Sequence, residues 1–292
     1  MKALTPAHFA LLLPCLSLSP LALGDSEPLL LDPSVITGSR SASPSFDLPY
    51  SVDSINQQQI NDGQLGINAS EVLSRVPGLV VQNRQNYAQD LQISSRGFGA
   101  RSAFGVRGIK LIADGIPAST PDGQGQAATF NLDTAERIEV LRGPAATLYG
   151  SNAGGVIQMF SRDGEGPPRI GAETLIGSDG MSKNHLTAEG ATDDVGFVLD
   201  ASRMDTDGYR DHSAARRDQT FAKLNLKPDE DSKLALIYSS LEQNGTQDPL
   251  GQSWEAYKAD PRSVTPNAIT YNTRKSIDHQ QLGLNYERYI GD

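Results

Sequence analysis

Thiols, histidines and positive charge are all scarce. The chain has one cysteine, Cys15, and four histidines. Cys15 lies inside the first apolar stretch, so the remainder has no disulfide framework, no thiolate metal ligand and no cysteine nucleophile. His8, His185, His212 and His279 are scattered, and no two have the spacing of a metal pair. Basic residues number 25 against 35 acidic ones, a formal charge of −10. That balance is wrong for nucleic acid, which asks for a basic surface. No apolar run of about 18 residues follows the leader, which excludes a helical membrane span. A mean hydropathy of −0.37 leaves a β-barrel open, because its strands are apolar only at alternate positions. Gly97-Phe-Gly-Ala-Arg-Ser lacks the third glycine of a dinucleotide loop, and no parallel βαβ pattern surrounds it. There is no Gly-x-Ser-x-Gly elbow either. Nothing here points to an enzyme or to a resident cofactor or metal.

The stretch 1–24 reads as a secretory signal. Lys2 supplies the positive start, Phe9 to Leu23 is apolar, and Ala22-Leu-Gly24 precedes Asp25 as a small-residue cleavage pattern. The stretch is too short for an anchor and is broken by Pro14 and Pro20. A lipid attachment at Cys15 fits poorly, since Pro14 precedes it and apolar residues continue after it. Residues 25–47 form a polar leader in which Leu29–Arg40 carries a β-prone patch, Val35-Ile36-Thr37. Ser39 to Pro49 is rich in Ser and Pro and reads as loop.

Residues 48–162 read as a compact α+β unit. Ser54-Ile-Asn-Gln57 and Asn68-Ala-Ser-Glu71 match capping boxes before short helices, stopped by Asp62-Gly63 and Pro77-Gly78. Strands are expected at Leu79–Gln82, Leu91–Ser95, Lys110–Ala113, Arg137–Leu141 and Val156–Phe160. Ile138 and Val140 alternate with Glu139, the pattern of a half-buried strand. Gly143-Pro144 ends that strand and opens one helical turn, closed by Gly150. Gly154-Gly155 allows two backbones to approach before Val156. Three polar loops separate the strands, Asn83–Asp90, Gly97–Gly105 and Ala118–Gln126.

Beyond Ser161, Asp163-Gly-Glu-Gly-Pro-Pro168 is a linker. Six antiparallel strands are expected in residues 163–292, at Arg169–Gly177, Lys183–Thr192, Val195–Thr206, Gln219–Lys227, Lys233–Gln243 and Ile277–Ile290. Val195, Phe197, Leu199 and Ala201 alternate with Gly196, Asp200 and Ser202, and Leu282, Leu284 and Tyr286 alternate with polar residues. One greasy and one wet face at barrel-strand length suits a transmembrane β-barrel. A soluble sandwich would need a second greasy face. Turns near Gly180 and Arg210 fall on one side of the sheet, and those near Asp193 and Asp231 on the other. Asp205–Asp218 and Glu242–Lys275 read as the longer loops.

From Val72 to Phe160 the chain also resembles the plug domain of TonB-dependent outer-membrane receptors of the siderophore and iron-complex type. The motifs are Val72-Leu-Ser-Arg-Val-Pro-Gly-Leu79, Ile93-Ser-Ser-Arg-Gly-Phe98, Leu111-Ile-Ala-Asp-Gly-Ile-Pro117 and the stretch from Arg137 to Ile157. Gln158-Met159 departs mildly from the usual Asn-Ile. The resemblance implies a plug followed by antiparallel barrel strands in a Gram-negative outer membrane. It implies active import of a scarce ligand, by family frequency a ferric siderophore, with haem, cobalamin, another metal chelate or a redox cofactor as alternatives. The implied partners are TonB with its inner-membrane energising complex, outer-membrane lipid and a small chelate. Asp32, Pro33, Ser34, Val35, Ile36 and Thr37 would form the TonB box, a docking strand that binds by β-augmentation. Arg84, Tyr87, Gln89, Arg101, Phe104, Thr120, Asp122 and Gln124, in the three loops, would face ligand; the alternative is solvated loop tips or barrel contacts. Arg96, Arg107, Asp114, Glu139 and Arg142 would form structural pairs, including pairs between plug and barrel. Family barrels close about 22 strands around the plug. Six cannot, so the expectation is a piece of a longer product, or a wall completed by a second chain; a non-transporting surface binding protein is the competing reading.

Overall fold

The computed structural model describes residues 35–36, 43–44, 51–82, 86–102, 105–120, 122–142, 149–150 and 152–290. The expected signal segment lies outside them. So do Asp32, Pro33, Ser34, Thr37, Arg84, Phe104 and the helical turn after Gly143.

A two-residue pair comes first, β1 (Val35–Ile36) against β2 (Ser43–Pro44). The plug follows, with β3 (Ser51–Asn56), α1 (Gln57–Asn61), α2 (Ser70–Leu73), β4 (Leu79–Gln82), β5 (Gln92–Ser95), β6 (Val106–Arg107), β7 (Lys110–Ala113), β8 (Ile116–Pro117), β9 (Gln124–Gly125), β10 (Ala135–Arg142) and β11 (Val156–Ser161). Its main sheet has the order β3-β10-β11-β7-β8, with β11 and β7 parallel. Two further two-stranded sheets are β4-β5 and β6-β9, the latter joining strands that β7 and β8 separate in the chain. The core gathers Ile60, Leu73, Ile93, Leu111, Phe130, Leu132, Ile138 and Ile157, each 1% exposed or less.

Two local expectations need correction. The first helix is capped by Asn56, whose side chain accepts from the Gln59 amide while the Gln59 side chain accepts from the Asn56 amide, so the box lies just after Ser54 rather than on it. Ser54 is instead paired with Glu139 across β3 and β10. In the second box only one half forms. Glu71 reaches back to the amides of Gly66, Ile67 and Asn68, and α2 begins at Ser70. Strand β10 is also buried on both faces rather than one. Glu139 is fully buried, taking Arg137 Nε at 2.9 Å, and the Arg137 guanidinium lies 4.0 Å from the Phe160 ring centre.

The wall consists of β12 (Arg169–Ile176), β13 (Ser182–Ala191), β14 (Val195–Thr206), β15 (Ala215–Asp229), β16 (Ser232–Gln247) and β17 (Arg274–Arg288), antiparallel and in sequence order. Cross-strand rows Val195–Leu226–Leu234–Tyr286, Phe197–Leu224–Leu236–Leu284 and Leu199–Ala222–Tyr238–Leu282 share the outer face. Leu282 is 82% exposed and Leu284 63%. No described residue covers that face, and lipid is its solvent. Beyond the Ala201–Thr220–Ser240 row the same face turns polar, with Arg203–Asp218 at 2.5 Å and Arg216–Asp205 at 2.6 Å. Here β15 begins at Ala215 rather than Gln219, and β16 ends at Gln247 rather than Gln243. A strand that has left lipid keeps its ladder without keeping its greasy face. The loops shorten accordingly to 207–214 and 248–273, and the latter carries α3 (Trp254–Ala259) and α4 (Pro266–Thr270). Among the described residues β12 and β17 pair on one side only, so the sheet is an incomplete barrel wrapped on the plug.

Candidate functional site

The plug meets the wall through a belt of polar residues on the inward face. Period two places Lys183, His185 and Glu189 of β13 on that face, with Asp200 of β14, Arg217 and Lys223 of β15, Gln243 of β16 and Lys275 and Asn285 of β17.

At one end lies the Asp114-Gly115 turn between β7 and β8. Both residues have positive φ, 49° and 78°. A tight hairpin turn of this kind requires that conformation. The turn aims the Asp114 carboxylate at the start of the wall. It accepts from the Ser161 amide and hydroxyl, both at 2.8 Å, while Lys223 Nζ lies 3.4 Å away. Lys223 also reaches Asp163 at 2.7 Å, and Asn285 donates to the Asp114 carbonyl. Nearby, Arg162 and Arg169 share Glu189, with Nε contacts of 2.7 and 2.8 Å.

In the middle, the plug turn Asn131–Thr134 meets β13 and β14. Lys183 Nζ binds Asp133 Oδ1 at 2.6 Å and the Leu65 carbonyl at 2.8 Å. Asn131 Nδ2 donates to Asp200 Oδ1 at 3.1 Å, and Asp200 also meets a ring nitrogen of His185. Burial raises the Asp133 carboxyl above its usual range, against the pull of Lys183.

At the far end, Lys275 pairs with Asp90, Gln243 Nε2 donates to the Tyr87 carbonyl at 2.7 Å, and Arg217 donates to the Ala128 carbonyl. Asn86 and Gln89 both donate to Asp248, at the foot of the loop after β16. That side carries the long loops, so it is the outer side. Two clefts open there. One, about 320 Å³, lies between Asn86 and Gln89 of the plug and Tyr209, Arg210 and Asp248–Gln252 of the outer loops. The other, about 410 Å³, is bounded by Thr120, Gln124 and Gln126 of the plug and by Lys275, Ile277 and His279 of β17. Arg210 is spent on the carbonyls of Leu250 and Ser263, at 2.7 and 2.9 Å, and burial lowers its pKa.

The loop residues singled out from the sequence divide accordingly. Gln89 lines the first cleft, and Thr120 and Gln124 line the second. Tyr87 is half-buried against Ile67, Met181 and Met204, and burial raises its phenol pKa. Asp122 is exposed; the Thr120 hydroxyl and the Gln124 amide lower its pKa. Arg101 is an exposed turn residue that lines neither cleft. Among the charged plug residues, Arg142 bonds within the plug, to Pro77, Ser51 and Asp53, and Glu139 takes Arg137. Arg107 reaches Asp122 at 3.5 Å, and Arg96 is exposed at a positive φ. Asp114 is the member of that group that touches the wall. The wall's own partners are not among the residues the sequence singles out, although charged residues at inward alternate positions of greasy strands mark them. In the leader, Val35 and Ile36 lie in β1.

The model of the TonB-dependent Receptor Plug Domain family matches residues 44–157. The chain is 29% identical over 208 residues to the Hemin receptor of Yersinia pestis, covering 67% of this chain and 29% of that receptor. It is 28% identical over 266 residues to the Pesticin receptor of Yersinia pestis, covering 86% and 38%. The crystal structure of the ferric yersiniabactin uptake receptor FyuA from Yersinia pestis superposes with a TM-score of 0.64 at 23% identity, covering 82% of this chain and 38% of that one. The chain thus spans about a third of the length of the relatives it matches. Residues 44–157 thus match a TonB-dependent receptor plug, and with that plug inside a wall of lipid-facing strands the chain is similar to the TonB-dependent receptors of the Gram-negative outer membrane.

Proposed function

We propose that the chain is the amino-terminal part of an importer that draws a scarce iron chelate across the outer membrane under the pull of TonB. The observation that carries this reading is the polar belt. A plug held to its wall by Lys183–Asp133, Lys223–Asp114 and Lys275–Asp90 blocks passage until those contacts are broken. Breaking several buried or half-buried ion pairs together requires work, which a strand docked on TonB can deliver. Asp32, Pro33, Ser34, Val35, Ile36 and Thr37 are the proposed docking strand.

Cargo would enter from the side of the long loops. Gln89, Thr120 and Gln124 would meet it in the two clefts, with Arg84, Tyr87, Arg101, Phe104 and Asp122 completing the proposed loop set. A ferric siderophore or haem supplies the anionic or planar surface that arginine and aromatic side chains recognise. The name of the hemin receptor favours that class. No bond in the cargo is broken, so no catalytic residue is assigned. The remaining charged plug residues, Arg96, Arg107, Glu139 and Arg142, would keep the plug rigid while it moves.

Uptake of ferric siderophores and of haem by cells carrying the gene, with and without TonB, tests the reading. Uptake falling to background without TonB is the expected result. Uptake that persists would remove the energy coupling, and cargo binding with no uptake in either strain would favour a surface binding protein.

A further inference from the structure

The middle of the belt contains a demand its own residues do not meet. One donor atom each from Asp133, His185 and Asp200 lies within 4.8 Å of the other two. Asp133 Oδ2 and Asn131 Oδ1 are buried beside them and have no hydrogen-bond donor among the described residues. Both groups are held in place by their other atom. Asp133 Oδ1 takes Lys183 at 2.6 Å, and Asn131 Nδ2 donates to Asp200 Oδ1 at 3.1 Å. Asn131 is only 3% exposed, so bulk solvent does not reach it freely. Buried acceptors of this kind are rare because each is costly to leave unmet. A water offers two donors to such a group, whereas one cation bound among these side chains would satisfy the carboxylates, the amide oxygen and the imidazole together.

The donor set narrows the ion. One imidazole nitrogen, two carboxylate oxygens and an amide oxygen suit a borderline divalent metal; calcium and magnesium prefer oxygen alone. Binding would replace the present His185–Asp200 hydrogen bond with two bonds to the ion. We propose that Asn131, Asp133, His185 and Asp200 form a divalent transition-metal site, of zinc type, that clamps the plug turn to strands β13 and β14. Lys183 is a positioning residue here: it holds one Asp133 oxygen and turns the other towards the metal. The ion is structural rather than cargo, because its ligands are shared between plug and wall and lie away from the two outer clefts. This inference stands whether or not the protein imports anything.

The test uses the purified protein in detergent, stripped with a chelator and titrated with Zn²⁺. One equivalent per chain is expected, with a rise in thermal midpoint. Crystals grown with zinc should show an anomalous peak bonded to the His185 ring and to Asp200. His185→Gln, which keeps a polar side chain, should weaken zinc binding at least about tenfold and abolish the thermal shift. If that variant fails to insert, the anomalous map of the wild type decides alone. Zinc found only at His212 or His279, no peak within the cluster at saturating zinc, or unchanged affinity in His185→Gln would each overturn the assignment.

Discussion

Gly155 has φ +112°, and a β carbon there would run into the Leu141 carbonyl oxygen of the neighbouring strand. The close approach expected of Gly154-Gly155 is therefore a backbone contact that no side-chain rotation can relieve. Gly155→Ala should destabilise the plug by more than about 2 kcal/mol, from left-handed strain and the clash together. Limited proteolysis should show earlier cleavage within residues 51–161, and wild-type resistance would refute the account. Asp122 offers a milder test. Its pKa is lowered by the Thr120 hydroxyl first and the Gln124 amide second. A carboxylate depressed in the folded state adds stability above its unfolded pKa, and the gain is lost as pH falls through the folded one. The thermal midpoint of the wild type should exceed that of Asp122→Asn at about pH 6, and the gap should close below about pH 4. A gap that is flat with pH would show that the Thr120–Asp122 contact does not order the loop.

Elements are legible where hydropathy follows the backbone period, and less so where it does not. The apolar rows of β14 and β17 mark both strands directly, because lipid demands a greasy residue at every second position. The upper parts of β15 and β16 carry Arg216, Asp218 and Glu242 on the same face, so only their ladder identifies them. The first capping box is displaced for a similar reason. Ser54 and Asn56 both begin a plausible box, and the pairing of β3 with β10 extends the strand past Ser54 to Asn56. The site is less legible than the fold. Which of many charged residues meet depends on how the plug is turned inside the wall, and local pattern carries no trace of that. The leader makes the element-scale prediction. In the proposed docking strand, Val35→Pro removes a backbone N–H from β1 without touching the outer clefts. Uptake should be lost while cargo binding to whole cells stays unchanged. Normal uptake in this variant would refute the docking assignment.

At the scale of the molecule, stability and function pull against each other across one surface. The plug has its own apolar core, so it would keep its shape if the proposed pull drew it from the wall. The wall has a greasy exterior and a polar interior, and so it gives the plug hydrogen bonds and charges to hold rather than an apolar face to merge with. Apolar contact between the two is local, with Ile116 against Val198, Phe221 and Ile237 in one patch and Ile67 and Tyr87 against Met181 and Met204 in another. Such an interface can be tight at rest and still separate as a unit, because each ion pair that breaks can be taken over by water entering the lumen. Lys223 tests this directly, since it ties Asp114 and the Ser161 carbonyl of the plug to Asp163 of the linker. Lys223→Met leaves Asp114 its bonds to Ser161 but removes its cation, and losing one partner of a buried pair costs about 3–5 kcal/mol. That cost should fall on the seating of the plug and leave its internal fold intact. Hydrogen exchange should therefore quicken at the Asp114-Gly115 turn and at residues 161–164, while β10 keeps its protection. Uniform loss of protection through β10 would mean that the belt supports the plug's fold as well as its position, and the separation of roles argued here would fail.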